Sequence, residues 1–395
     1  MKTNELTIQI PYGTRDFLPG EAGGKRELEA KLAARFSSWG YEEVVTPTME
    51  YLQTLSLGSG QDLSEQMFVF FDRGNRILAL RPEMTIPIAR LAATRLRDKP
   101  LPLRLFYLTN VFRHEEAQAG RQCEFYQAGV ELMGVSEPAA DAEVIGLAIS
   151  SALAAGLRDF RICLGQTGFI QGLMDDSGLG EADRQAIKQC LVKRDLVALE
   201  QILRQSRLPA ERQAAFAQLP LLNGGQEALD RAAKLADNAA SQAALDNLTA
   251  IFALLRAYGL EQYVSFDLGI IRDFEYYTGM VFEGYTPGLG FPFCGGGRYD
   301  RMLAAFGLAC PATGFAMGIE RLLLALARQG ISQRQPLRDI YVGWQEGRLL
   351  EAIATASQLR EKEAGVELSP VAESRPAAEE SQRRRGFRQL LYIGG

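Results

Sequence analysis

The stretch that decides the fold runs from Phe106 to Gly134 and reads FYLTNVFRHEEAQAGRQCEFYQAGVELMG. It begins and ends with runs rich in β-branched and aromatic residues, and the polar, glycine-containing segment HEEAQAGRQ separates them. This pattern predicts two antiparallel strands joined by a long loop. We therefore expect a hairpin at the centre of an antiparallel sheet.

The second strand of this hairpin sorts its side chains onto two faces with a period of two. The face that we expect in the core carries Tyr126, Ala128, Val130 and Leu132. The opposite face carries Phe125, Gln127, Gly129 and Glu131. Two polar residues on either side of a glycine pack poorly against a core, so this second face is either the floor of a ligand site or a solvated sheet surface.

Length and composition are those of an ordinary globular protein. The chain has 395 residues, of which 47% are hydrophobic and 23% are charged, and this length predicts two or three domains. The formal net charge of −5 disfavours a surface built to wrap nucleic acid. Nucleic acid is therefore not an expected partner.

Cysteine, histidine and apolar patterns exclude further classes of protein. The five cysteines are scattered with no CxxC pair, which disfavours disulfides and a cysteine metal site and favours a reducing cytoplasm. His114 is the single histidine, so no Ser–His catalytic pair can form elsewhere. The N-terminus has no apolar signal core, and no apolar run approaches the roughly 18 residues of a membrane span.

Glu83 and Thr85 stand where a predicted strand meets a predicted helix. The segment LRPEMTIPIARL places them directly after a predicted hairpin at 67–80. Taken alone, Thr85 is best read as the N-cap of the helix and Glu83 as a surface acid. The functional alternative is a carboxylate and a hydroxyl held on a rigid turn to bind an ammonium group.

Two later segments also carry candidate binding residues. In IIRDFEYYTG, Arg272 and Tyr276 share a predicted strand face and Tyr277 follows, although tyrosine is also common in sheets for packing. In ATGFAMGIERLLL, Arg321 falls in the first turn of a predicted helix. A cation is unfavourable there unless an anion neutralises it or solvent screens it.

The remaining patterns divide the chain into two domains. Residues 1–330 read as one sheet domain with a helical insertion at about 170–258, and residues 338–395 alternate strand, helix, strand, helix, strand. The second domain is therefore predicted to be a small α/β module. For the whole chain we expect an α+β fold, with an antiparallel sheet core flanked by helices.

The order of these motifs resembles class II aminoacyl-tRNA synthetases. The strand ending in Arg113–His114–Glu115 resembles their motif two, GFAMGIER resembles motif three, and the helix and strand before Pro47 resemble motif one. LRPEMT, GRQCEFYQAGVELMG, IIRDFEYYTG and CGGGRYD are together similar to the histidyl-tRNA synthetase branch. Within it, GRQCEFYQAGVELMG followed by PAADAEVIGLA most resembles the regulatory subunit family of ATP phosphoribosyltransferase.

The resemblance implies a site for L-histidine, which would act as an allosteric effector. It assigns to histidine Glu83, Thr85, Arg113, Gln127, Glu131, Arg272, Tyr276 and Tyr277. These residue types suit the ligand, since a buried zwitterion needs acceptors for its ammonium group and an arginine for its carboxylate. The resemblance also implies a vestigial ATP site, formed by Arg113, Glu115, Arg121 and Arg321.

The resemblance further implies a non-catalytic role in the first step of histidine biosynthesis. Members of the family pair with a short-form catalytic subunit that joins ATP to phosphoribosyl pyrophosphate. The regulatory chain activates that partner and makes it sensitive to feedback inhibition by histidine. We therefore expect a cytoplasmic hetero-oligomer built on dimers of this chain, with no catalytic residue, metal or cofactor in the chain itself.

Two alternatives remain open from the sequence. One is an active histidyl-tRNA synthetase with a shortened C-terminal domain, and the other is a synthetase-like regulator that binds RNA or protein. Met84 stands where many synthetases of this branch have glycine, and Glu124 and Tyr126 replace their usual Gln and His. The tail resembles an anticodon-binding domain that ends after its third strand. These departures favour the regulatory interpretation.

Overall fold

The structure is a computed structural model of the chain, and it describes residues 8–57, 61–114, 122–270, 277–331, 338–362 and 364–394. Two compact units are present. The first comprises Met1–Asp16 and Leu28–Ser332, and the second comprises Phe17–Glu27 and Gln333–Gly395. The predicted division differs in one respect, because Phe17–Glu27 belongs to the second unit. This boundary falls inside one continuous helix, so no turn or linker in the sequence marks it.

Helices and strands follow one another along the whole chain. The α-helices are α1 Pro19–Ser38, α2 Leu52–Ser56, α3 Gln61–Glu65, α4 Thr85–Thr94, α5 Pro138–Ala155, α6 Thr167–Asp175, α7 Glu181–Lys193, α8 Leu196–Gln205, α9 Ala210–Gln218, α10 Gln226–Ala233, α11 Ala239–Ala257, α12 Ile319–Arg328, α13 Leu349–Arg360 and α14 Arg375–Arg385. Single 3-10 turns lie at Leu219–Leu221, Glu261–Tyr263 and Leu303–Phe306.

The strands form one large sheet and two small ones. They are β1 Glu42–Glu43, β2 Met49–Tyr51, β3 Val69–Phe71, β4 Ile77–Leu80, β5 Leu103–Phe112, β6 Glu124–Met133, β7 Arg161–Gln166, β8 Asn223–Gly224, β9 Val264–Asp267, β10 Met280–Tyr285, β11 Cys294–Arg298, β12 Ala312–Gly318, β13 Ile340–Trp344, β14 Val366–Leu368 and β15 Gln389–Ile393.

The large sheet has nine strands in the order β1-β5-β6-β12-β11-β10-β7-β9-β8. Six neighbouring pairs are antiparallel. The pairs β1–β5 and β7–β9 are parallel, so the sheet is mixed rather than purely antiparallel. The predicted α+β fold is confirmed with that amendment. Helices α6 to α11 come between β7 and β9 in the chain, where the sequence predicts the helical insertion.

The central hairpin pairs as the sequence predicts. Strands β5 and β6 run antiparallel in an unbroken register from Leu103↔Met133 to Phe112↔Glu124. The alternation of β6 is also confirmed, because Ala128, Val130 and Leu132 are almost wholly buried in the largest apolar cluster. The next residue, Met133, packs in a second apolar cluster with Leu105 and Tyr107. The two faces of the sheet are therefore covered by different cores.

One helix, α5, is long and apolar enough to cross a membrane by length and composition, and 67% of that window is buried inside the protein. The expectation that no segment reaches such a length and apolarity is therefore wrong for α5. Its apolar side chains, which include Val144, Ile145 and Ile149, pack in the largest cluster beneath the sheet. A mostly apolar helix of this length is expected where most of its surface packs inside the protein.

The C-terminal unit has the predicted alternation of strands and helices. Its three strands are parallel in the order β14-β13-β15, and α13 and α14 connect them in the chain. Val342 and Trp344 of β13 pack with Ala352 and Ala356 of α13. In the first unit, the second small sheet is antiparallel in the order β2-β4-β3, and β4 leads directly into the segment that holds Glu83.

Candidate functional site

A pocket with a cavity volume of about 170 Å³ opens on one face of the large sheet. Seven of the residues singled out from the sequence line it: Glu83, Thr85, Arg113, Gln127, Glu131, Tyr277 and Arg321. The first and the last of them are nearly 240 positions apart in the chain, and the order of the strands in the sheet brings them together. The other four candidates, Glu115, Arg121, Arg272 and Tyr276, lie outside the described residues. The second face of β6 is therefore the floor of a pocket and not a solvated surface.

Glycine keeps this floor open where polar side chains must approach the backbone. Gly314 of β12 pairs with Glu131 of β6, and a Cβ atom at Gly314 would overlap the Glu131 carboxyl group and press on the Val130 carbonyl. A Cβ at Gly129 would likewise overlap the Tyr107 hydroxyl group. Glycine at both positions therefore makes room for side chains that reach into the pocket.

Glu83 forms part of the fold as well as of the pocket. Its two carboxylate oxygens accept hydrogen bonds from the backbone N–H groups of Thr85 (2.6 Å) and Ile86 (2.7 Å). Glu83 therefore caps helix α4, and the interpretation of Thr85 as the N-cap is wrong, because Thr85 is the first residue of the helix and Met84 precedes it at the cap position. Burial raises the pKa of Glu83, while these hydrogen bonds and the positive charge of Arg113 act to lower it.

Glu131 lies at the bottom of the pocket and is only 2% exposed. The hydroxyl group of Tyr299 donates a hydrogen bond to its Oε2 atom, and the Thr85 hydroxyl interacts with both Glu131 and Glu83. Burial raises the pKa of Glu131 to about 8, the bonds from Tyr299 and Thr85 lower it, and the charge of Glu83 raises it. Two buried carboxyl groups therefore share one end of the pocket, which we call the acidic end.

Two arginines, Arg113 and Arg321, also line the pocket, and we call the part of it that they form the arginine end. The Arg113 Nε atom donates to the carbonyl oxygen of Pro82 (2.8 Å), and its guanidinium lies 5.4 Å from the centre of the Phe125 ring. The Arg321 guanidinium lies 5.0 Å from the centre of the Phe291 ring, and its Nη1 atom donates to the Pro292 carbonyl (2.8 Å). Both cations keep the fixed planar geometry that suits carboxylate and phosphate groups.

Tyr299 is a site residue that the sequence analysis missed. The alternation of strand β11 could have revealed it, because Gly295, Gly297 and Tyr299 fall on one face in CGGGRYD. Arg298, the residue before Tyr299, points to the other side of the sheet. There its guanidinium forms a buried ion pair with Asp141 of α5 (3.0 Å). Arg298 also contacts Asp300 (3.1 Å) and the Val135 carbonyl. This ion pair fixes the backbone on which Tyr299 is mounted.

Two further lining residues, Tyr107 and Glu320, are also absent from the predicted set, whereas Phe125 lies on the predicted floor face. Both oxygens of Glu320 accept from the backbone N–H of Tyr126 (3.0 and 3.1 Å). Glu320 thereby ties α12 to β6. No group of three or more metal-ligating side chains occurs among the residues that the structure describes, and all five cysteines are free thiols.

The chain is similar to known proteins over most of its length. The family model described as histidyl-tRNA synthetase matches residues 13–322. A protein of Moorella thermoacetica named ATP phosphoribosyltransferase regulatory subunit is 48% identical, over 99% of each chain. One with the same name from Desulforamulus reducens is 46% identical, over 89% of this chain and 87% of its own.

Solved structures are similar over the same length. A Bacillus halodurans protein, described as an ATP phosphoribosyltransferase regulatory subunit/histidyl-tRNA synthetase, superposes with a TM-score of 0.88 at 33% identity and covers 98% of both chains. Histidyl-tRNA synthetase from Nostoc superposes with a TM-score of 0.82 at 21% identity, over 96% of this chain and 90% of its own. At that identity the second likeness speaks for the fold alone.

Proposed function

The chain belongs to the family of ATP phosphoribosyltransferase regulatory subunits, whose members share the histidyl-tRNA synthetase fold, and from this premise we propose its molecular role. It binds a short-form catalytic subunit that joins ATP to phosphoribosyl pyrophosphate. It activates that subunit in the first step of histidine biosynthesis and makes it sensitive to inhibition by histidine. The chain performs no chemistry of its own and acts in the cytoplasm.

One observation supports the assignment of the effector, namely that six of the eight predicted histidine residues line one pocket. Glu83, Thr85 and Gln127 provide acceptors for the ammonium group. Arg113 faces the carboxylate, a role that the family resemblance also assigns to Arg272. Glu131 and Tyr277 face the imidazole ring, and Tyr299 joins them because its hydroxyl group orients Glu131. The family resemblance assigns Tyr276 to the ring as well. A pocket with a few convergent polar groups and perturbed carboxyl groups is the expected form of such a site.

Regulation by histidine is then a coupling free energy between this pocket and the catalytic partner, typically about 1–3 kcal/mol. Histidine must bind the inhibited form of the complex more tightly than the active form. The small sheet β2-β4-β3 supports self-association as a dimer, because Val69, Phe71 and Ile77 are exposed there and β4 leads directly to Glu83. Nucleic acid plays no part in this proposal.

Adenylation of histidine is the second candidate function. Arg113 and Arg321, two of the residues that the family resemblance assigns to ATP, line the same pocket. The geometry of this end is therefore compatible with an adenylate as well as with free histidine.

Two measurements on the purified chain separate the candidates. Calorimetry is expected to detect histidine binding, whereas histidine-dependent exchange of pyrophosphate into ATP is expected to stay at background. Exchange above background would establish adenylation and overturn the non-catalytic role. With the short catalytic subunit added, we expect a higher rate of phosphoribosyl transfer that histidine then suppresses. Binding of histidine without any effect on the catalytic subunit would contradict the regulatory role.

A further inference from the structure

Arg81, the residue that follows β4, is a buried cation that binds two other segments of the chain. It is only 3% exposed, and its guanidinium makes five hydrogen bonds, as many as the group has N–H donors. The Nε atom donates to the Asn110 carbonyl (2.9 Å), and Nη1 donates to the carbonyls of Thr46 (2.8 Å) and Pro47 (3.3 Å). The Nη2 atom donates to Asn110 Oδ1 (3.1 Å) and to the Thr109 hydroxyl. All these acceptors are uncharged, and together they hold the guanidinium in one orientation.

The backbone of Arg81 binds strand β5 as well. Its carbonyl oxygen accepts a hydrogen bond from the N–H group of Phe112 (3.0 Å). Strand β1 pairs with the same edge of β5 near Phe106, whose carbonyl oxygen accepts from the N–H group of Val44 (2.9 Å). Alternate residues of a strand direct their backbone groups to the same edge, so Phe106, Asn110 and Phe112 share this one. Arg81 therefore continues the edge pairing of β5 towards the end of that strand.

Two residues of the proposed histidine site are attached directly to this junction. Glu83 comes shortly after Arg81 in the chain, and Arg113 follows Phe112 at the end of β5. The Arg113 Nε atom also donates to the carbonyl oxygen of Pro82 (2.8 Å), which lies between Arg81 and Glu83. The side chain of Arg81 therefore joins the two segments that bear the Glu83 carboxylate and the Arg113 guanidinium.

We propose that Arg81 is a positioning residue that sets the distance between the Glu83 carboxylate and the Arg113 guanidinium, and thereby selects ligands with the spacing of an α-amino acid. This inference rests on the proposed histidine site. The ammonium group and the carboxylate of such a ligand are attached to the same carbon atom, so covalent geometry fixes their separation. Two long side chains match it at low entropic cost only when their backbones are held. Arg81 provides this hold without touching the ligand, since it is not among the residues that line the pocket.

Arg81→Lys in the full chain tests this role. Lysine keeps the positive charge but has fewer donors and lacks the planar fork, so it cannot bind Asn110 and the carbonyls of Thr46 and Pro47 together. Calorimetry should show that the variant binds L-histidine about tenfold more weakly than the native chain, as expected for coupled neighbouring groups. L-Histidinol keeps the ammonium group and the ring but has a hydroxymethyl group in place of the carboxylate. Its affinity should fall by less than about twofold.

The two ligands separate positioning from a general structural role of Arg81. A loosened pocket would weaken both ligands by the same factor, so equal losses would overturn the inference, as would unchanged affinities for both. Arg272, which the family resemblance assigns to the carboxylate, is the same in every variant. The matched control is Arg90→Lys, because Arg90 of α4 pairs with Glu50 of β2 (2.7 Å), and both affinities should stay within about twofold of the native values. Failure of the native chain to bind L-histidine would instead contradict the proposed function.

Two further variants decide the question if Arg81→Lys does not fold or if L-histidinol binds too weakly to measure. Thr109→Val keeps the arginine and removes the hydroxyl acceptor of its Nη2 atom, so L-histidine should bind about threefold more weakly and L-histidinol equally well. Arg113→Lys allows a double-mutant cycle with L-histidine alone. Once Arg113 is replaced, Arg81→Lys or Thr109→Val should weaken binding by less than about twofold more. The same loss with and without Arg113 would overturn the inference.

Discussion

The acidic end and the arginine end of the pocket hold their charged groups in different ways. Glu83 caps α4 through two backbone N–H groups, and Glu131 accepts from Tyr299 beneath the pocket. Arg113 and Arg321 are each held by a carbonyl oxygen and the face of a phenyl ring. Changes at the acidic end should therefore alter both stability and binding, whereas changes at the arginine end should alter stability little and histidine binding only at Arg113, which is assigned to the carboxylate.

The largest expected effect is a loss of stability when the ion pair between Asp141 and Arg298, on the other face of the sheet from the acidic end, is broken. Asp141→Ala leaves the Arg298 guanidinium buried without its main partner, and breaking such a pair costs about 3–5 kcal/mol of the free energy of unfolding. Urea unfolding followed by circular dichroism measures the loss. The matched control is Glu200→Ala, because the exposed pair of Glu200 with Arg204 contributes less than about 1 kcal/mol.

A loss of under about 1 kcal/mol for Asp141→Ala would contradict the expectation. It would mean that Asp300 and the Val135 carbonyl suffice for Arg298, and that the acidic end does not depend on α5.

Thr85→Val, at the acidic end, has the second largest expected effect. Valine has the same shape as threonine but no hydroxyl group, so the interactions with Glu83 and Glu131 are lost. The proposed site assigns the Thr85 hydroxyl to the ammonium group, and a hydrogen bond to a charged group contributes about 1.5–3 kcal/mol, so histidine should bind about 10–100-fold more weakly in calorimetry. Thr94→Val on the same helix is the control, since Thr94 bonds only to the Arg90 carbonyl at the surface. Equal affinities for the two variants would remove Thr85 from the site.

Much of the acidic end could be predicted from the sequence because its residues lie on regular strands. The period of two in β6 separates Gln127 and Glu131 from Val130 and Leu132, and the structure places each where the alternation predicts. The same rule applied to CGGGRYD could have found Tyr299, which the sequence analysis missed. The capping role of Glu83 did not, because only the turn geometry shows that its carboxylate, rather than the Thr85 hydroxyl, meets the helix N-terminus.

Other features depend on long-range packing that no local pattern carries. Asp141 gives no sign in PAADAEVIGLA that it pairs with Arg298, which is 157 positions away. The parallel pairing of the two-residue strand β1 with β5 is likewise set by the sheet and not by YEEVVTP. The division of α1 between two units has the same cause, since a helix is continuous in sequence whatever it packs against.

The third prediction concerns the acidic end and the pH dependence of stability in the absence of ligand. Glu131 keeps its proton in the folded protein up to about pH 8, whereas in the unfolded chain it loses the proton near pH 4.3. The folded state therefore binds more protons between these values, and stability must fall as pH rises through the window. We expect a slope of about 1 kcal/mol per pH unit that Glu131→Gln removes. Urea midpoints at several pH values measure it, and identical slopes in both proteins would place Glu131 in a more solvated environment.

The smallest expected effect is at the arginine end, for Arg321→Gln. Arg321 is exposed and contacts Phe291 and Pro292, neither of which is assigned to the ammonium group or the imidazole ring. Histidine affinity should therefore change by less than about twofold, and stability by less than about 0.5 kcal/mol, as for most surface substitutions. Calorimetry with histidine measures the first quantity and urea unfolding the second. A tenfold loss of affinity would show that the carboxylate of histidine reaches Arg321 as well as Arg113, and the whole arginine end would then belong to the amino-acid site.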